Sequence, residues 1–323
     1  MPISIGVVLS VRSVTVRAPA KVNLQLAVGP RRVDGYHDIV TVFHAVGIFD
    51  EITARDGIPG TGIRVSMEGD GTEGIGNGPD NLVWQAVAAL AEYADVAADI
   101  ELDVVKKIPV AGGMAGGSAD AAGALIACDA LWRTGLGREE LDVLAARLGA
   151  DVTFALHGGT AIGTGRGERL TPALISGQYH WVFAVAQDGL STPAVYDECD
   201  RLRIGADIHQ PEVSEALMAA LRRGDAGAVG AALSNDLQFA AISLRPELEM
   251  VLEAGLSYGA LGGIVSGSGP TCAFLVRDEE QALDVAVGLS GSGLCRTVVH
   301  ANGPVHGARV VEADADGPQL RGI

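Results

Sequence analysis

The stretch Ile108-Pro109-Val110-Ala111-Gly112-Gly113-Met114-Ala115-Gly116-Gly117-Ser118 is the most informative part of this sequence. Before it, residues 100–104 alternate apolar and polar side chains, which predicts a half-buried strand, and after it residues 119–133 predict a helix. A strand, a glycine loop and a helix in this order bring backbone N–H groups close to a bound phosphate. The alternative is a flexible connector in which Ser118 merely caps the helix.

Length and charge limit the class of protein. The 323 residues predict about two domains, and 48% hydrophobic residues are enough for packed cores, which excludes global disorder. The formal net charge of −17 argues against a nucleic-acid partner held by a broad basic face. Strands and helices alternate without a regular βαβ rhythm, so the predicted fold class is α+β.

The cysteines and apolar segments bear on location. The 4 cysteines form no CxxC pair, which favours a reduced, cytoplasmic protein without a zinc site or a disulfide framework. Residues 1–11 lack a basic residue ahead of their apolar run, so no signal peptide is expected. The uncharged run 254–276 contains Pro270 and is rich in glycine and serine, which predicts loops rather than a membrane segment.

Two well-known glycine motifs are not supported. Gly69, Gly71 and Gly74 form a GxGxxG match, but no helix follows it and its acidic residues would repel a pyrophosphate. No GxxxxGK[ST] sequence is present, which excludes a P-loop fold. Asp80, after this acidic loop, is expected to cap a helix.

Three further clusters have both a structural and a functional interpretation. Lys21 stands beside Asn23 in an otherwise apolar strand, where a lysine is usually solvated. Asp151 follows Gly149-Ala150, and by itself is best interpreted as a cap or turn residue. Ser266-Gly267-Ser268-Gly269-Pro270 is either a tight turn between strands or a second backbone cradle near a ligand.

Taken together, residues 18–24, 109–122 and 264–274 resemble the three motifs of the GHMP kinase family, in the family's order. Arg32-Val33-Asp34-Gly35-Tyr36-His37-Asp38 and Gly149-Ala150-Asp151-Val152 resemble the branch that phosphorylates a cytidyl diphosphate sugar alcohol. Homoserine, mevalonate and galactose kinases share the glycine loop but do not usually carry the Gly-Tyr-His element.

The resemblance implies a two-domain architecture with the active site between the domains. Residues 13–170 would form an S5-like, ATP-binding N-terminal domain, and residues 171–302 a ferredoxin-like C-terminal domain. Residues 1–12 would be an N-terminal extension and residues 303–323 a C-terminal tail, both loosely ordered.

The resemblance also implies roles. Lys21 and Asp151 would be the catalytic pair, with Asn23, Tyr36, His37 and Tyr196 on the acceptor; the two tyrosines would sandwich the cytosine and His37 would read its edge. The ATP site would consist of Pro109, Val110, Ala111, Gly112, Gly113, Met114, Ala115, Gly116, Gly117, Ser118 and Ala119, together with Asn81, Leu82 and Lys106. The cofactors would be ATP and Mg²⁺, with no metal ligands assigned. The expected partners are ATP and a small-molecule acceptor, with no nucleic acid and no membrane, for a monomer or weak homodimer.

The chain departs from the family pattern at several positions. Ala111 and Ala115 stand where glycine is frequent, Thr153 where proline is usual, and Ala119 where a second serine is common, which removes a hydroxyl at position 119. Two alternatives remain open: another GHMP enzyme, for example a homoserine kinase or a decarboxylating relative, and a non-catalytic ligand sensor. The Gly35-Tyr36-His37 element argues against the first. Retention of both Lys21 and Asp151 argues against the second, because a sensor needs only to bind.

Overall fold

The computed structural model describes residues 12–110 and 112–314. In chain order its elements are β1 (Ser13–Arg31), β2 (His37–Asp56), β3 (Ile63–Gly69), α1 (Leu82–Ala94), β4 (Ile100–Lys106), α2 (Gly116–Trp132), α3 (Arg138–Leu148), α4 (Ala150–His157), β5 (Thr160–Thr164), β6 (Arg169–Pro172), β7 (Tyr179–Val185), α5 (Thr192–Leu202), α6 (Glu215–Arg223), α7 (Ala226–Ala231), β8 (Ser234–Asn235), α8 (Gln238–Leu244), α9 (Glu247–Ser257), β9 (Gly262–Val265), β10 (Cys272–Val276), α10 (Glu279–Ser292), β11 (Thr297–Gly303) and β12 (Arg309–Asp314).

The first sheet is built around the long hairpin of β1 and β2. Its central order is β12-β1-β2-β4-β3, while β5 pairs with β2, β6 with β5, and β8 with β1. Pro19 is accommodated inside β1 because the pairing register shifts between Pro19 and Ala20, where no regular ladder bond is needed. Helix α2 packs closely on this sheet, since a Cβ at Gly123 would lie 2.4 Å from Cδ1 of Ile52.

The second sheet is antiparallel, with the order β11-β7-β10-β9. Its strand β10 is buried along its whole length, which matches its apolar sequence Cys-Ala-Phe-Leu-Val. Trp181 and Phe183 of β7 belong to the same buried cluster as the core of the first sheet. The two sheets are therefore joined by a continuous apolar interior.

His44 lies at this junction. Its ring is fully buried, with centroid distances of 5.8 Å to Tyr179 and 6.0 Å to Trp181. Its Nδ1 lies 2.8 Å from Oγ1 of Thr160. Burial lowers the pKa of His44 to about 3, so the ring is neutral in the folded protein at neutral pH.

We predict that His44 makes stability depend on pH. In the unfolded chain the pKa of His44 returns to about 6.5. Between about pH 6.5 and pH 3 the unfolded state therefore binds a proton that the folded state does not bind. The contribution is fully present above about pH 6.5 and is lost as the pH falls below it. Urea unfolding at several pH values should give a shallower pH dependence for His44→Gln than for the wild type. Equal slopes would contradict the prediction.

The α+β prediction is confirmed, since helices accompany two largely antiparallel sheets. Several local predictions are wrong. Residues 309–314, expected to be loosely ordered, pair as β12 with β1. The N-cap of α1 is Asn81 rather than Asp80. Asp151 lies inside a helix, α4, rather than in a turn.

Other elements arise where loops were expected. Strand β6 lies inside the predicted linker 165–178, and α8 was not predicted. In the predicted N-terminal extension, Arg12 forms an ion pair with Asp56 at 2.7 Å. Residues 1–11 of this extension and residues 315–323 of the predicted tail lie outside the described residues. The predicted division into domains stays a prediction. Among the described residues, no helix is long and apolar enough to cross a bilayer.

Candidate active site

A cavity of about 760 Å³ lies where the first sheet and its helices meet α5 and the turn before β10. Its wall carries Lys21 from β1, the start of α2 and Asp151 from α4. From the other side it receives Tyr196 of α5 and the turn residues Gly267, Ser268 and Gly269. The predicted second cradle therefore lines the same cavity as the glycine loop.

The glycine loop ends at an open helix N-terminus. The N-cap of α2 is Ala115, with φ 60°, and no side chain caps the helix. The N–H groups of the first turn have no partner inside the helix, and Gly116, Gly117 and Ser118 line the cavity. Ser118 is thus not the cap but a first-turn residue facing the cavity. This arrangement suits an anionic phosphate.

Gly113 allows the loop to touch the 266–269 turn. Its φ is 76°, and a Cβ there would lie 2.2 Å from the carbonyl oxygen of Ser266. The hydroxyl of Ser266 in turn donates to the carbonyl oxygen of Gly113 at 3.1 Å. Only glycine fits both the backbone conformation and this contact.

In Gly113→Ala the new Cβ would lie 2.2 Å from the carbonyl oxygen of Ser266, and alanine would be strained at this positive φ. Because the backbone must move to relieve both, we expect the loop to separate from the turn and ATP binding to weaken by at least about tenfold. Calorimetric titration with ATP measures the loss. Gly291→Ala in α10 is the control, since nothing lies within 4 Å of its Cβ. Unchanged ATP affinity in Gly113→Ala would show that the contact does not shape the site.

Lys21 is held by neutral oxygens. Its Nζ donates to Oδ1 of Asn23 at 2.7 Å and to the carbonyl oxygen of Gly113 at 2.9 Å. Asn23 is itself fixed, because its Nδ2 donates to Oγ1 of Thr41 at 2.8 Å. Burial lowers the pKa of Lys21, and the carboxylate of Asp151 opposes this shift. An ammonium has three N–H groups, so one is left for a ligand.

Asp151 reaches the cavity from the first turn of α4. Gly149, the N-cap, has φ 157° and ψ 156°, which redirects the chain between α3 and α4. A carboxylate at a helix N-terminus interacts favourably with the helix dipole. The fold thus places Lys21 and Asp151, 130 positions apart in sequence, in one cavity.

Lys106 lines the cavity, but its charge is already neutralised. Its Nζ bonds to Asp50 and, at 2.5 Å, to Oδ2 of Asp120. Oδ1 of Asp50 also accepts the N–H groups of Lys107 at 2.5 Å and Ile108 at 2.8 Å. Burial, and secondarily the neighbouring Asp50, raise the pKa of Asp120. This cluster ties β2, β4 and α2 together beneath the loop.

Of the predicted acceptor residues, Asn23 and Tyr196 line the cavity, and Tyr36 and His37 lie next to it through contacts with Arg166 and Tyr196. His37 Nε2 is 2.8 Å from Oδ1 of Asp200, and its ring centroid is 5.2 Å from that of Tyr196. Burial raises the pKa of Tyr196 to about 12, so its hydroxyl stays protonated. Tyr36 is half exposed, and the guanidinium of Arg166 covers its ring at 3.8 Å.

Most of the predicted site residues line this cavity: Lys21, Asn23, Asn81, Leu82, Lys106, Pro109, Val110, Gly112, Gly113, Ala115, Gly116, Gly117, Ser118, Asp151 and Tyr196. Met114 and Ala119 are instead buried in the core, and Tyr36 and His37 lie behind Arg166 and Tyr196. Ala111 lies outside the described residues. Sequence reasoning missed Arg166, Asp50 and Asp200, which carry no recognisable local motif.

Comparison with known proteins agrees with this geometry. The family profile of the GHMP kinases N terminal domain matches residues 81–159, and that of the GHMP kinases C terminal matches residues 217–294. The 4-diphosphocytidyl-2-C-methyl-D-erythritol kinase of Mycolicibacterium smegmatis is 54% identical over 93% of this chain and 93% of its own. The kinase of the same name from Thermobifida fusca is 55% identical over 93% of this chain and 98% of its own.

Solved structures show the same relationship. A crystal structure of 4-(cytidine 5'-diphospho)-2C-methyl-D-erythritol kinase has a TM-score of 0.73 at 30% identity, covering 89% of this chain and 98% of its own. The homoserine kinase of Cytophaga hutchinsonii has a TM-score of 0.72 at 19% identity, covering 93% of this chain and 97% of its own, and shares the fold. These matches confirm the predicted kinase architecture. The chain belongs to the GHMP kinase family of ATP-dependent phosphotransferases and groups with its 4-diphosphocytidyl-2-C-methyl-D-erythritol kinases.

Proposed function

We propose that this chain transfers the γ-phosphoryl group of ATP to the 2-hydroxyl of 4-diphosphocytidyl-2-C-methyl-D-erythritol, a step of the non-mevalonate route to isoprenoid precursors. The observation that carries the proposal is the shared cavity, which Lys21 and Asp151 line together with the open N-terminus of α2. The choice of acceptor is supported by the names of the relatives and by the Gly35-Tyr36-His37 element.

The nucleotide end is formed by the glycine loop. The free N–H groups of Gly116, Gly117 and Ser118 would bind the phosphates, next to Asn81 and Leu82 at the start of α1. The side chain of Asn81 connects the start of α1 to the preceding loop, since its Nδ2 donates to the carbonyl oxygen of Gly76 at 2.8 Å. Lys106 would act from beneath the loop, because its ammonium is bound to Asp50 and Asp120.

Phosphoryl transfer depends mainly on positioning and on neutralising charge. Asp151 would orient the acceptor hydroxyl in line and accept its proton. The ammonium of Lys21 would stabilise the oxygen from which that proton leaves and the charge of the transferred group. The charges of Lys21 and Asp151 interact, and we assign orientation as well as proton transfer to Asp151.

The residues present fit a Mg²⁺ ion bound together with the nucleotide. Oxygen groups of Ser118, Asp120 and Asp151 line the cavity, and Oδ1 of Asp120 is buried without a hydrogen-bond partner. Mg²⁺ usually takes one or two protein carboxylates and substrate phosphates. The described residues contain no group of three or more His, Cys, Asp or Glu side chains that could hold a metal without the nucleotide. The ion would neutralise phosphate charge when bound.

At the acceptor end, the cytosine would lie against Tyr196 and His37. Stacking on an aromatic side chain contributes about 1–3 kcal/mol per base. The expected sandwich between Tyr36 and Tyr196 stays a prediction. Arg166 covers one face of Tyr36, so the base would stack on the opposite face. Asp200, bonded to Nε2 of His37, would fix the orientation of that ring.

ADP release with ATP, Mg²⁺ and a panel of alcohols tests the proposal. The panel contains the cytidyl diphosphate acceptor, homoserine and mevalonate. We expect kcat/KM to be highest for the cytidyl acceptor by at least about a hundredfold, since the other two lack the base and the diphosphate. Preference for homoserine or mevalonate would replace the assignment. Binding of the cytidyl compound without ADP release would favour a ligand sensor.

We further propose that the chain acts in the cytoplasm as a monomer or weak homodimer, without nucleic acid or membrane partners. The net charge of −17 and the four free cysteines support this proposal.

A further inference from the structure

Arg166 lies on a well-anchored turn between β5 and β6. Gly167 packs against α4, since a Cβ there would lie 3.2 Å from the Cβ of Ala150, next to Asp151. On the other side, the N–H of Ile39 donates to the carbonyl oxygen of Gly165 at 2.7 Å. The N–H of Arg166 donates to Oε2 of Glu168 at 2.7 Å. The position of this arginine is therefore set by the backbone.

Arg166 differs in its partners from the other two cations that line the cavity within residues 12–110 and 112–314. Lys106 is bound by two carboxylates, and Lys21 is bound by neutral oxygens near Asp151. The guanidinium of Arg166 has no carboxylate partner among the described residues; it rests on the ring of Tyr36 at 3.8 Å. The adjacent Glu168 instead lies 3.7 Å from Nε of Arg169. The positive charge of Arg166 is thus available to bind an anionic ligand.

The position of Arg166 in the cavity indicates which group of the acceptor would lie next to it. Its turn packs beside Asp151, where the reacting hydroxyl would lie, and its guanidinium reaches Tyr36, next to His37 at the end assigned to the base. In a cytidyl diphosphate sugar alcohol, the diphosphate lies between those two ends. A planar guanidinium can bond two phosphate oxygens at once.

We propose that Arg166 binds the diphosphate of the acceptor and makes the chain select acceptors that carry this group. The proposal rests on the proposed function for the identity of the acceptor. It adds a residue that determines specificity: the acceptor is recognised by its charge at Arg166 as well as by its base.

The test compares CDP with cytidine, which share the base and differ in the diphosphate. Calorimetric titration of the full chain should show that Arg166→Gln weakens CDP binding about tenfold to a hundredfold and cytidine binding less than about twofold. Arg166→Lys should recover only part of the loss, because an ammonium lacks the two-pronged geometry. Arg169→Gln is the matched control on the same turn, since its side chain is 78% exposed.

Steady-state kinetics give the second readout. We expect Arg166→Gln to raise the KM of the cytidyl diphosphate acceptor by the same factor as the Kd of CDP, with the KM of ATP unchanged. Equal weakening of CDP and cytidine would overturn the proposal and leave Arg166 as a packing partner of Tyr36. Wild-type affinity for CDP no tighter than for cytidine would also overturn it.

The outcomes separate this proposal from the proposed function. If the wild type binds CDP in an Arg166-dependent way but does not phosphorylate the cytidyl acceptor, the proposed function fails and the diphosphate site stands. If the wild type phosphorylates this acceptor and Arg166→Gln changes neither CDP affinity nor KM, the diphosphate site fails alone.

Discussion

Replacing Asp151 by asparagine is expected to lower kcat by at least about a hundredfold, the usual scale for a lost proton acceptor. Asparagine keeps the size of the side chain and its place in the first turn of α4, but it cannot accept the proton of the hydroxyl. ATP binding should persist, because the free N–H groups of α2 do not depend on Asp151. Single-turnover kinetics and ATP titration measure the two effects separately.

Asp284→Asn in α10 is the matched control, since Asp284 is exposed and does not line the cavity. It should retain wild-type kcat. More than a tenth of the wild-type kcat in Asp151→Asn would exclude Asp151 as the essential proton acceptor. Loss of ATP binding together with kcat would show instead that the variant disturbs the whole site.

Replacing Lys21 by methionine is expected to lower kcat about a hundredfold to a thousandfold, the range found when a preorganised charge at the reacting centre is removed. Methionine fills a similar volume but leaves Oδ1 of Asn23 and the carbonyl oxygen of Gly113 without the ammonium. The KM values of ATP and acceptor should change much less than kcat, because other groups bind their ends.

Lys107→Met serves as the control for Lys21→Met, since the Lys107 side chain is 57% exposed and its ammonium, within the part of the chain that the structure describes, contacts only Glu51. Its kcat should stay at the wild-type level. A Lys21→Met enzyme with a kcat within about tenfold of wild type would contradict the assigned role.

The wild-type rate should also fall as the pH rises. Because burial lowers the pKa of Lys21, we expect this fall to begin at a lower pH than for an ordinary lysine.

The sequence is most informative where local signals agree. Helix α3 has the predicted bounds, because Gly149 ends it and its apolar residues recur at helical spacing. Helix α4 was not predicted, because Gly149 indicates the end of α3 but gives no indication that a new helix begins at Ala150. Strand β12 could not be predicted, since it pairs with β1 across some 300 residues and only tertiary contacts define it.

The same distinction holds for the site. The glycine loop could be located because strand, loop and helix are adjacent in sequence. The Lys106 cluster was missed because Asp50 stands 56 positions away and looks like an ordinary strand residue. Arg166 gave no signal, since an arginine between two glycines is typical of an exposed turn. The role proposed for it rests on the anchoring of that turn beside Asp151 and on its contact with Tyr36.

ATP and the acceptor are expected to occupy one cavity, with the phosphoryl group passing directly from one to the other. The most direct test uses ATP made chiral at the γ-phosphorus with three oxygen isotopes, followed by analysis of the phosphorylated acceptor. A single in-line transfer from ATP to the hydroxyl beside Asp151 predicts inversion at phosphorus. Retention would require a phosphorylated enzyme intermediate and would contradict the assignment of Lys21 and Asp151.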